Sequence, residues 1–188
     1  MDFIIDIEKC LTVLKEGGLI LYPTDTIWGI GCDATNPYAV EKIFQLKKRP
    51  DNKAMIVLVA DERDILQYVA APDLALFDHL KQVNRPTTVI YEGAIGLAEN
   101  LVAEDGSIAI RICNEAFCQH LLRRFKKPLV STSANISGKA VAKIFSDIST
   151  EIREGVDYIV RYRQDDTTSA QPSSIIRWEN GKISVIRS

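Results

Sequence analysis

The stretch Gly17–Ala34, GGLILYPTDTIWGIGCDA, decides the fold of this chain. Two glycines lead into the apolar run Leu19–Leu21, which stops at Tyr22-Pro23, because proline has no N–H to give a ladder and restricts the residue before it. That run reads as a short buried strand. Thr24, Asp25 and Thr26 follow at the strand end, and after them comes Ile27-Trp28-Gly29-Ile30-Gly31, where glycines alternate with apolar residues. Small hydroxyl and carboxyl side chains at a strand terminus converge on one cleft, and alternating glycines let a ligand or another backbone approach closely. The competing reading is a β-hairpin whose polar residues only satisfy a turn.

Working outward, Asp6–Glu16 carries Ile7, Cys10, Leu11 and Leu14 at helical spacing, and Gly17-Gly18 closes it. Asn36-Pro37 starts a second helix as cap and first-turn proline, with Val40, Ile43, Phe44 and Leu46 inward, ending in Lys47-Lys48-Arg49-Pro50. Ala54–Ala60 is a continuous apolar run, the mark of a strand covered on both faces. Asp61–Val69 and Pro72–Val83 read as helices. Thr87–Tyr91 and Ser107–Ile112 read as strands, with Arg111 on the face opposite Ile110. Asn114–Phe125 is a helix that leads through Leu129-Val130 into a second polar loop, Ser131–Gly138. A helical segment around Ser146–Glu154 and strands near Tyr158–Val160, Ser174–Trp178 and Ile183–Ile186 complete the pattern, with Asn180-Gly181 as a hairpin turn. Helices and strands mix without strict alternation, so the expected fold is an α/β single domain over residues 1–188, a twisted mixed β-sheet with flanking helices.

Composition narrows the class. A length of 188 residues with 46% hydrophobic content suits one globular domain, since about 100 to 200 residues per domain is usual. The four cysteines include no C-x-x-C pair, and the N-terminus shows no basic region followed by an apolar core. The expectation is a cytoplasmic protein with free thiols and no membrane contact. A net charge of −2 argues against a uniformly nucleic-acid-coating protein, although basic residues cluster at Lys42–Lys53, at Lys81 and Arg85, and at Arg123–Lys127.

Nucleophilic chemistry fits poorly. His79 and His120 fall inside amphipathic helices, and no G-x-S-x-G elbow is present. No resident metal site is expected. What remains is cations and hydroxyls at strand and helix ends. Lys47 and Arg49 stand two apart ahead of Pro50, a spacing that suits phosphate or carboxylate. The Ser131–Ser137 loop can present hydroxyls and N–H groups to phosphate oxygens or a base edge, or can simply cap a helix.

Together, YPTDTIWGIGCDA, LKKRP, SIAIRIC, STSANISG and PSSII closely resemble the YrdC-like domain family of threonylcarbamoyl-AMP synthases, over essentially the whole chain. The family's motifs run P-T-[DE]-T-x-Y-G-L-G, K-x-R-P and S-x-N-x-S-G in this order. The resemblance implies a YrdC-like α/β fold with a basic concave face. It also implies an enzyme that joins L-threonine, bicarbonate and ATP into threonylcarbamoyl-adenylate with release of pyrophosphate, magnesium riding on the ATP phosphates. A downstream threonylcarbamoyl transferase complex would then modify tRNA. Such a reaction needs positioning and charge neutralisation rather than a protein nucleophile.

By the same resemblance, Lys47, Arg49, Ser133 and Asn135 are the catalytic candidates. Thr24, Thr26, Lys53, Arg111 and Thr132 would bind threonine, with Asp25 shaping the loop. Arg49, Thr88, Ser133, Asn135, Ser137, Ser173 and Arg187 would bind the nucleotide. Three departures stand out: Trp28 where the family has tyrosine, Cys113 where it has the proline of R-x-P, and Asn84-Arg85-Pro86 without the usual glycine. Trp28 is expected to narrow the pocket floor and Cys113 to loosen the segment beside Arg111. No room is expected for the extra C-terminal domain of longer members. Two other readings stand beside the synthase: a noncatalytic double-stranded RNA or tRNA-binding protein using the same basic concavity, and another nucleotide-dependent carbamoyl transferase.

Overall fold

A computed structural model describes residues 3–48, 55–179 and 181–188. Arg49, Lys53, the start of the Ala54–Ala60 run and Asn180 of the expected hairpin turn lie outside the described residues.

The helices form where the periodicity places them, and their ends are set by capping. α1 spans Ile4–Lys15 and buries Ile7, Cys10, Leu11 and Leu14. α2 spans Pro37–Lys47; the Asn36 side chain accepts the N–H groups of Tyr38 and Ala39, and Lys48 ends the helix at φ 50°. α3 is Glu62–Tyr68, closed at its start by a reciprocal Asp61/Asp64 capping box. α4 is Ala75–Gln82 and α5 is Ala116–Phe125, the latter starting later than Asn114 because Glu115 is its cap and accepts the Cys118 N–H. The segment expected as a helix around Ser146–Glu154 divides instead. A single 3-10 turn covers Phe145–Asp147, Ser149 then caps, and α6 is only Thr150–Glu154.

The strands are β1 Ile20–Tyr22, β2 Gly29–Gly31, β3 Ile56–Val59, β4 Thr87–Tyr91, β5 Ile108–Ile112, β6 Leu129–Ser133, β7 Tyr158–Ile159, β8 Ser174–Glu179 and β9 Lys182–Arg187. They form one mixed sheet in the order β7-β1-β2-β6-β3-β5-β4-β8-β9. The pairs β1/β7, β3/β5 and β4/β8 are parallel; the rest are antiparallel. The centre, β3 with β6 and β5, buries Val57, Leu58, Val59, Leu129, Val130 and Ile110, as the double-sided apolar run required.

Both readings of the opening stretch hold in part. β1 and β2 do form a hairpin, with Tyr22 opposite Gly29 and Pro23–Trp28 as its connection. The alternating glycines are strand rather than loop, and their smallness is needed. A Cβ on Gly31 would stand 2.6 Å from Tyr22 Cε1 and 2.7 Å from the Val130 carbonyl. Likewise the first three residues of the Ser131–Gly138 loop belong to β6, where Ser133 pairs with Gly29. This pairing brings the two polar motifs side by side.

Candidate functional site

Lys47 closes α2 and is 1% exposed. Its ammonium donates to the carbonyls of Ser133 and Asn135, the second at 2.6 Å, while its own carbonyl accepts the Ser137 N–H at 2.9 Å. The lysine therefore fastens the whole S-x-N-x-S turn to the end of α2. Asn135 uses its Nδ2 on the carbonyls of Ile136 and Lys139. Asn135 Oδ1 and Ser137 Oγ are buried and have no partner among the described residues. Such a group costs about 1–3 kcal/mol until something completes its hydrogen bonding.

The T-D-T connection is ordered by its own hydroxyls. Thr24 Oγ1 donates to the Ile27 carbonyl at 2.8 Å and accepts the Thr26 N–H at 3.0 Å. Its single hydrogen being spent, the 2.9 Å contact with Thr26 Oγ1 has Thr26 as donor, which leaves the Thr26 oxygen as an acceptor. Trp28 is buried against Phe145, ring centroids 4.9 Å apart, and its carbonyl accepts the Ala134 N–H. Thr132 is buried in β6 opposite Ile30.

Over this connection runs the segment that follows β7. Arg163, at φ 65°, donates to the Thr24 carbonyl at 3.2 Å and pairs with Asp166 at 2.9 Å. The Thr168 backbone N–H, then the side chains of Thr168 and Arg163, hold the Asp166 carboxyl down to about 2. Burial pushes the Glu115 carboxyl up, against the Cys118 N–H and Arg163. Between the strap and the connection, Thr24, Thr26, Trp28, Lys143 and Asp166 enclose a space of about 10 Å³.

A second group gathers on β5, β4 and β8. Arg111 is 3% exposed, forms an ion pair with Asp25, and has its Nε–H buried with no partner among the described residues. The β4/β5 register pairs Val89 with Ile110, so Thr88 stands next to Arg111 on one face. Thr88 Oγ1 meets Ser173 Oγ at 2.8 Å, and Arg187 donates Nε and Nη2 to the Ser173 carbonyl at 3.1 and 2.8 Å. Burial, with Arg111 nearby, lowers the Arg187 pKa. Cys113 is no loose joint: its N–H donates to the Val59 carbonyl at 3.1 Å, a bond that a proline there could not make.

The expected residues thus fall into two groups, Lys47–Ser133–Asn135–Ser137 with Thr24, Thr26 and Thr132, and Arg111–Thr88–Ser173–Arg187, with β3 between β6 and β5. The T-D-T connection reaches both, through the Trp28 carbonyl on one side and Asp25 on the other. A cleft of about 960 Å³ lies instead against Ile110 and Ile112, the strand face turned away from Arg111, and of these residues it is lined by Asp25. Sequence reasoning missed Asp25 as the Arg111 partner, although a carboxylate between two threonines was visible. It missed Arg163 and Asp166 too, which lie in a stretch with no periodic signal.

The family model Sua5/YciO/YrdC, described as "Telomere recombination", matches residues 12–188. The chain belongs to the Sua5/YciO/YrdC family. Among relatives in it, the threonylcarbamoyl-AMP synthase of Pseudoalteromonas translucida is 32% identical over 180 residues, covering 94% of this chain and 95% of the relative. That of Idiomarina loihiensis is 33% identical over 181 residues, covering 94% and 95%. Among solved structures, P. abyssi Sua5 complexed with L-threonine has a TM-score of 0.85 at 20% identity, over 97% of this chain and 54% of that one. This chain therefore spans about half the length of that Sua5. E. coli YciO has a TM-score of 0.83 at 22% identity, covering 97% and 88%. The mixed sheet described above is thus the Sua5/YciO/YrdC fold.

Proposed function

We propose that this chain is a threonylcarbamoyl-AMP synthase, forming the adenylate and pyrophosphate from L-threonine, bicarbonate and ATP. One observation carries the reading. Three of the polar atoms that are buried with no partner among the described residues, Arg111 Nε, Asn135 Oδ1 and Ser137 Oγ, belong to residues singled out for substrate contact by their motifs. The relatives' shared name supports the same activity.

In this reading the threonine amine bonds to the carbon of bicarbonate, with loss of water, and gives a carbamate. A carbamate oxygen attacks the α-phosphorus, the bond to the bridging oxygen breaks, and pyrophosphate leaves. No protein nucleophile is required. Arg111 takes the threonine carboxylate and the Thr26 oxygen accepts from its amine or hydroxyl. Lys47 acts by setting the Ser133–Ser137 turn against the phosphates, joined by Arg49 and Lys53. Thr88, Ser173 and Arg187 hold the nucleotide. Preorganised donors of this kind are most effective in a site closed to water. Among the described residues no group of His, Cys, Asp and Glu gathers as a metal-ligand set; magnesium would ride on the ATP phosphates. Among the same residues, no helix is long and apolar enough to cross a membrane. The product would pass in the cytoplasm to a transferase acting on tRNA.

Purified protein with ATP, bicarbonate and L-threonine is expected to release pyrophosphate only when threonine is present, and to yield a threonine-labelled adenylate. Threonine-independent release, or tRNA binding that weakens steeply with salt in the absence of turnover, would count against the synthase.

A further inference from the structure

Arg111 and Arg187 share one face of the sheet, and the Arg187 guanidinium is already made less basic by burial and by Arg111. The one carboxylate against this pair is Asp25, 13% exposed, among the described residues. It takes only the Nη1 corner of Arg111. Asp25 is itself fixed, since its second oxygen accepts the Asn114 backbone N–H at 3.4 Å. The Nε–H on the far side of the guanidinium is buried and meets no partner among the described residues. A guanidinium offers a carboxylate two adjacent N–H groups in one plane, and the Nε–Nη2 edge is such a pair.

We propose that Asp25 is a positioning residue for Arg111. Building on the synthase reading, it pins Nη1 so that the Nε–Nη2 edge is presented to the carboxylate of the amino-acid substrate. The Asn114 N–H, the Asp25 carboxylate and the Arg111 fork form a fixed series, and the substrate meets a fork already oriented. Without Asp25, a buried guanidinium beside a second cation turns to whatever acceptor is nearest, and the receiving edge is lost. Asp25 touches no reacting atom. Its contribution falls on amino-acid binding, while the Ser173–Arg187 side is held by bonds that do not involve it.

The test is steady-state kinetics of Asp25→Asn, which keeps the shape and removes the charge, and of Asp25→Ala, each with its melting temperature. The expected result is a KM for threonine raised at least about tenfold in D25A and less in D25N, with the KM for ATP moving less than about twofold. A general loosening of the structure would move both constants together. Unchanged threonine KM in both folded variants overturns the proposal, as does a parallel rise in the two constants. Wild-type protein that releases no threonine-dependent pyrophosphate overturns the synthase reading and this proposal together, whereas active wild type with indifferent variants overturns this proposal alone.

Discussion

Lys47, expected as an anion ligand, also serves the backbone of the turn that it faces. Its spacing from Arg49 marks it as an anion ligand, yet its ammonium rests on the carbonyls of Ser133 and Asn135. No sequence pattern announces a lysine that serves backbone carbonyls, because the acceptors come from a turn 86 and 88 residues away. Replacing it by methionine keeps the stem and removes the donors. Two carbonyls then lose a charged donor, at about 1–3 kcal/mol each if they stay buried, and the turn that carries Asn135 and Ser137 loses its anchor. Lys47→Met is expected to cut threonine-dependent turnover at least about 100-fold, by analogy with loss of a preorganised electrostatic group, while circular dichroism still reports a folded chain. Stopped turnover with a wild-type spectrum supports the anchoring role; near-normal turnover rules it out.

The elements were legible where periodicity or capping chemistry is strong. α1, α2, β3 and β4 stand within a few residues of their expected limits, because apolar spacing, Asn36-Pro37 and the glycine pair act locally. β2 was legible only through the hairpin reading, not from its own residues. Gly29 and Gly31 have no side chains to show a face, and what makes them strand residues is the closeness of β1 and β6 on either side. That closeness is testable at Gly31. A methyl group there meets the Tyr22 ring and the Val130 carbonyl within 2.7 Å, and the carbonyl belongs to a central strand that cannot yield. Gly31→Ala is expected to destabilise the protein by about 1–3 kcal/mol, the range of overpacked cores, read from urea unfolding midpoints at constant slope. An unshifted midpoint would mean that β1, β2 and β6 separate more easily than their packing implies. The strap around Arg163 escaped prediction for a different reason: its bonds to Thr24 and Asp166 depend on a non-glycine residue at positive φ, which only the surrounding structure enforces.

For the molecule as a whole, composition and the mixture of helices and strands were enough to name an α/β sheet, but not its strand order. Five of the eight adjacent pairs in the sheet are not neighbours in the chain, among them β2 with β6, β4 with β8, and β1 with β7. The candidate site inherits this, since Thr88 and Ser173 meet across 85 residues and Arg111 and Asp25 across 86. The position of β7 has a consequence for how the protein is made. The Leu19 N–H is satisfied by Asp157, 138 residues later, and β1 gains its outer neighbour only when Tyr158 and Ile159 arrive. A nascent chain halted at Pro128 has β1 to β5 but lacks both β6 and β7, so its N-terminal hairpin has neither flank. Pairings across such separations form slowly, because the loop must close before any contact rewards it. Ribosome-bound chains ending at residue 128 are accordingly expected to be cut rapidly by protease and full-length released chains to resist it. β1 is secured long after it is translated, and the site it borders exists only once residues 158 and 159 have been made.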